Sequence, residues 1–164
     1  MKRSRELTVC GMLTALAILL SIVERAFPLD VIIPIPGVKL GLANVVTLFA
    51  LTRLGLRDSL AVVVCRVTLA SLLMGSVTAF LFSLFGGLLA LFVMWALLHA
   101  EGRFCSLLGV SVAGAAGHNI GQVVAAVFWM QPGAVVGYLP YLLLLSIPLG
   151  LVTGLTCSII LNHM

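Results

Sequence analysis

Acidic residues are nearly missing from this chain: five Asp and Glu in 164 residues, with Asp30 and Asp58 the only aspartates. An Asp-rich motif that holds Mg²⁺ on a diphosphate cannot be built from them, so no prenyl-transfer or phosphoryl-transfer active site is expected. There is no GxxxxGK[ST] sequence either. The chain is therefore expected not to hydrolyse ATP and to need a partner for energy. Its four cysteines, Cys10, Cys65, Cys105 and Cys157, stand singly. Without a CxxC or a Cys/His cluster they indicate neither a metal site nor a disulfide framework, and they read as small apolar packers. No basic stripe is interleaved with aromatics, so a nucleic-acid partner is not expected. Ten-residue segments of alternating polarity, the mark of an outer-membrane barrel, are also lacking.

What is present is apolar: 62% of residues are hydrophobic, 9% are charged, and the mean hydropathy is +1.28. A water-soluble domain needs far more polar surface, so composition predicts a single all-α integral membrane domain over residues 1–164. Six helical spans are expected, over 7–26, 38–54, 59–73, 78–98, 106–130 and 138–161; several reach the roughly 20 residues that cross a bilayer, and the second is rather short. Lys2, Arg3 and Arg5 ahead of the first run superficially resemble a signal peptide. That run is long for one and lacks a small-residue cleavage site, so the helix is expected to be retained. Pro28, Pro34 and Pro36 break the helix between the first two spans, Gly75 and Ser76 mark a turn, Gln131-Pro-Gly133 ends the fifth helix, and Pro148 predicts a kink in the sixth. With the N-terminus inside, Lys2, Arg3, Arg5, Arg53, Arg57 and Arg103 all fall on the cytoplasmic side. The positive-inside bias thus places both termini in the cytoplasm.

Polar residues inside such spans are candidates for function. The stretch Gly109 to Gln122 carries His118, Asn119 and Gln122 on a backbone of small residues. His118 and Gln122 share a helix face, while Gly114, Gly117 and Gly121 leave room for close helix contact. The three polar side chains are either interhelical hydrogen-bond donors and acceptors or ligand contacts. Arg66 lies roughly 10 Å into the third span and is either a structural clamp or an anion contact. Lys39 stands in the glycine-containing Pro36-Gly-Val-Lys-Leu-Gly-Leu-Ala-Asn44, either as an interfacial anchor or, with Asn44, as part of a binding element. Glu24, at the end of the first span, pairs with Arg25, Lys39 or a buried polar group, or sits in the interface. A proton relay through His118 has no intramembrane acid beside it in sequence.

Lys39-Leu-Gly-Leu-Ala-Asn44, Arg66, Gly109-Val-Ser-Val, His118-Asn-Ile-Gly-Gln122 and Tyr138-Leu-Pro140 together closely resemble the Gx transporter family, also labelled heptaprenyl diphosphate synthase component I. That family is similar to the substrate-binding S components of energy-coupling-factor (ECF) transporters. The resemblance implies a six-helix, S-component-like bundle in the bacterial cytoplasmic membrane that takes up a small metabolite or vitamin-like ligand. Polar residues on glycine-rich helices give the expected substrate site, Lys39, Asn44, His118, Asn119 and Gln122, with Arg66 contacting an anionic part of the ligand or bracing the pocket. The resemblance also implies a coupling subunit that meets the small residues Gly11 and Ala15 of the first helix, with ATPases behind it. No enzymatic activity, cofactor or metal is expected. The alternative implied by the label is a membrane subunit that anchors or assists an isoprenoid, quinone or flavin-linked enzyme.

Overall fold

The computed structural model describes residues 2–25, 39–74, 77–100, 106–129 and 135–163. Its main helices, in chain order, are α1 (Lys2–Arg25), α2 (Asn44–Arg53), α3 (Leu56–Met74), α4 (Val77–His99), α5 (Leu107–Trp129) and α6 (Leu139–Asn162). The proline-containing connector at 27–37, the turn at Gly75 and Ser76, the connector around Arg103 and the turn at 131–133 lie outside the described residues.

Polarity is inverted relative to a soluble protein. Leu72, Phe128 and Leu144 are exposed, while Glu24, Arg66, His118, Asn119 and Gln122 are buried. A surface of this kind is stable against hydrocarbon and not against water. Four helices, α1, α4, α5 and α6, are long and apolar enough to cross a bilayer, and the chain is accordingly a membrane protein.

Among the described residues six helices form, and the second is shorter than expected. Helix 2 was expected over 38–54 and instead begins at Asn44, so its ten residues rise only about 15 Å, half the hydrocarbon thickness. Two glycines with positive φ set its limits: Gly41 at +81° and Gly55 at +86°. Both sit in the left-handed region where a side chain is disfavoured, and Gly55 follows the last turn as a C-terminal stop. There the Leu54 N–H and the Gly55 N–H both reach the Ala50 carbonyl, at 2.7 and 3.3 Å. Short as it is, α2 touches all five other helices, which is why six of its residues, Asn44, Val46, Thr47, Leu48, Ala50 and Leu51, are buried. α3 starts at Leu56, one turn earlier than the expected 59, and keeps Arg57, Asp58 and Arg66 within its length. α6 runs through Pro148 without interruption.

α5 packs most extensively on α4 and α6. The sequence allows this through small residues, as the glycine spacing predicts. Gly121 meets the backbone of Phe85 and Gly86, and Gly150 of α6 meets the backbone of Val112. Polar contacts then fix the α5/α6 register: Ser111 Oγ and Thr153 Oγ1 are 2.8 Å apart, and Asn119 Nδ2 donates to the Leu142 carbonyl at 2.8 Å and to Ser146 Oγ at 2.9 Å. Interhelical bonds of this type contribute about 0.6 kcal/mol on average in a membrane protein and rarely more than about 1.7.

Candidate functional site

The segment 39–43, between the described end of α1 and the start of α2, is the point on which the polar residues converge. It is not helical, so its backbone needs partners from elsewhere. Gln122 of α5 supplies two of them. The Lys39 N–H donates to Gln122 Oε1 at 3.2 Å, and Gln122 Nε2 donates back to the Lys39 carbonyl at 3.2 Å. The side-chain amide thus pairs with the main chain as a neighbouring strand would. Glu24 supplies a third, accepting through Oε1 from the Gly41 N–H and, at 3.4 Å, from the Leu42 N–H. A carboxylate here also faces the N-terminal end of α2, where the helix dipole favours negative charge.

Lys39 extends to α4 and donates from Nζ to Ser83 Oγ at 2.8 Å. His118 lies one turn before Gln122 and its Nε2 is 2.7 Å from Gln122 Nε2. Because the amide nitrogen can only donate, the imidazole accepts at Nε2 and carries its proton on Nδ1. The ring approaches the Gly86 backbone, yet Nδ1 is left without a hydrogen bond of normal geometry.

Arg66 and Asn44 complete the cluster. Both are 4% exposed, and among the described residues both amide atoms of Asn44 and the Nε and Nη2 of Arg66 have no hydrogen-bond partner. Their placement follows from the close packing around them. A Cβ on Gly41 would lie 2.9 Å from Asn44 Nδ2 and 3.1 Å from His118 Cδ2. On α4, a Cβ on Gly86 would lie 3.0 Å from His118 Cε1, and one on the adjacent Gly87 would lie 3.2 Å from Arg66 Nη2. Arg66 also interacts electrostatically with Glu24 and His118.

Of the six residues read from the sequence as a substrate site, Lys39, Asn44, Arg66, His118 and Gln122 therefore come together. Asn119 does not join them: its amide nitrogen is committed to α6, as described above, while its Oδ1 has no hydrogen-bond partner among the described residues. Glu24 and Ser83 enter the cluster in its place. Glu24 had a sequence signal, an acid ending an apolar run, but its partner is a backbone that no side-chain pairing rule could name. Ser83 was hidden as one hydroxyl among the phenylalanines and leucines of α4. The smaller pair, Gly11 and Ala15, lies elsewhere, exposed on α1 and lining a groove of about 450 Å³ against α3.

In the cluster the Glu24 carboxylate is engaged with backbone amides, and the His118 imidazole is held by the Gln122 amide. Among the described residues no group of three or more His, Cys, Asp and Glu is placed to hold a metal ion.

No curated protein and no solved structure matches the chain. A protein-family comparison matches residues 13–160 to the family described as heptaprenyl diphosphate synthase component I. That match takes in α2 through α5 entirely, along with every residue of the cluster. The chain belongs to the heptaprenyl diphosphate synthase component I family.

Proposed function

We propose that this protein is the substrate-binding membrane component of an ECF-type transporter, an S-component-like bundle with six membrane-embedded helices and both termini in the cytoplasm of a bacterium. It captures a small ligand and is not itself an enzyme. The observation that carries this reading is the set of buried polar atoms left open at Asn44, Arg66 and His118. A buried polar group without a partner costs about 1–3 kcal/mol, and more when charged. Several together are retained where a ligand satisfies them, and a site of few polar groups in apolar walls is the usual form of a small-molecule pocket.

The groove between α1 and α3 supports the same reading. Gly11 and Ala15 lie on it beside Cys10, Ala61 and Cys65, and among the described residues nothing approaches within 4 Å of where a Gly11 Cβ would be. Small residues one turn apart let a foreign helix come close in a bilayer, where packing rather than hydrophobicity drives association. The occupant in this reading is a coupling subunit, with ATPases attached to it. Purification of the tagged chain from native membranes should recover that subunit together with ATPases. Gly11→Leu should abolish the co-purification while leaving the bound ligand in place. Recovery of the Gly11→Leu protein with an undiminished ATPase complement would contradict the assignment of this face.

The family's description favours a second reading, a membrane subunit that assists an enzyme making isoprenoid diphosphates. The same purification separates the two, because that reading expects a soluble synthase subunit to be recovered and no ATPase.

A further inference from the structure

The two open nitrogens of Arg66 are not an arbitrary pair. Nε–H and Nη2–H lie on the same edge of the guanidinium and point in parallel, which is the edge that grips two oxygens of one carboxylate or phosphate. In Arg66 both are buried and both are without a hydrogen-bond partner among the described residues. Glu24 acts on it electrostatically, but the hydrogen bonds its Oε1 accepts come from the Gly41 and Leu42 amides, and neither Nε nor Nη2 of Arg66 has a hydrogen-bond partner among the described residues. The cation is thus held in place with its bidentate edge unused.

Asn44 has its donor and its acceptor open in the same cluster. An oxyanion consumes only donors, so the Asn44 carbonyl calls for a ligand hydrogen as well. Resting on the reading of the cluster as a ligand site, we infer that the ligand is a small oxyanion, a carboxylate or a phosphate ester. Its charged group sits side-on against Nε and Nη2 of Arg66, and a donor-bearing group beside it is read by Asn44. A lysine could supply the charge but not the paired donors, so the geometry and not the charge alone selects the ligand.

The test uses the full chain purified in detergent, with sodium acetate and sodium phosphate as probes against sodium chloride at matched ionic strength. Thermal stability is followed as each anion is titrated. The expected result is a saturable rise in Tm with acetate or with phosphate and none with chloride; which anion acts identifies the oxyanion class. Arg66→Lys keeps a buried cation, and so guards against loss of the fold, but should weaken that saturation by about tenfold or more, the loss of one charge-assisted hydrogen bond. Arg57→Lys, at an exposed arginine of the same helix, should leave it unchanged. No saturable effect of either anion on the unaltered chain overturns the inference, and so does an equal effect in Arg66→Lys. Because no partner subunit is needed, this failure is distinct from failure of the transport reading, which is decided by what co-purifies. A neutral molecule released from the native protein would likewise leave the site standing and remove the oxyanion.

Discussion

Gly121→Ala should destabilise the protein by about 3 kcal/mol, the upper part of the usual range for overpacking a close contact. The new methyl carbon would stand 2.5 Å from the Phe85 carbonyl oxygen and 2.8 Å from Gly86 Cα. Both obstacles are backbone, so no side-chain rotation relieves the clash and α4 must move away from α5. The movement also separates Ser83 from Lys39 and Gly86 from His118, so ligand affinity should fall together with stability. Gly11→Ala, where nothing lies within 4 Å, is the natural contrast and should be neutral within about 0.5 kcal/mol. Thermal unfolding of both variants in one detergent is the measurement; equal midpoints would mean that α4 and α5 are not in the described contact.

Glu24→Ala should cost a comparable amount, about 3 kcal/mol. It removes the acceptor of two backbone N–H groups and leaves Arg66 buried without a neighbouring negative charge, and losing one partner of a buried charge interaction is expensive. Glu24→Gln separates the two contributions. The amide oxygen can still accept from Gly41 and Leu42, so this variant should lose only about half as much, all of it electrostatic. Denaturant titrations of the pair measure the difference. If Gln proves as damaging as Ala, the carboxylate serves through its charge alone and the hydrogen bonds to segment 39–43 are incidental.

The contrast between α5 and segment 39–43 explains what could be read in advance. α4, α5 and α6 announce themselves through apolar runs of 23 or 24 residues, because length and hydropathy are properties of the segment itself. The start of α2 is not such a property. Leu40 through Leu48 has the composition of a helix, and what keeps Lys39 to Ala43 out of it comes from Glu24 and from Gln122, 83 residues beyond Lys39. Only the fold brings those groups to the main chain.

Asn119 shows the same limit at finer scale. It follows His118 directly, yet each helical residue turns by about 100°, enough to carry its amide from the cluster to α6. Sequence proximity grouped the two; rotation about the helix axis separated them. For Arg66, the sequence located the cation at depth but gave no sign of whether its edge was filled.

In the proposed function the open polar atoms around segment 39–43 form a ligand site and not an imperfect core. Asn44→Leu is the informative substitution, since Leu keeps the branched skeleton of Asn, with methyls somewhat bulkier than the amide atoms, and removes a buried amide that has no hydrogen-bond partner among the described residues. Replacing such a group with an apolar one should leave the fold as stable as before, within about 1 kcal/mol, or more stable. Native mass spectrometry of the protein released from detergent should then find a small bound molecule on the unaltered chain and on Asn119→Ala, and none on Asn44→Leu. The same molecule retained by a fully folded Asn44→Leu protein would contradict the account.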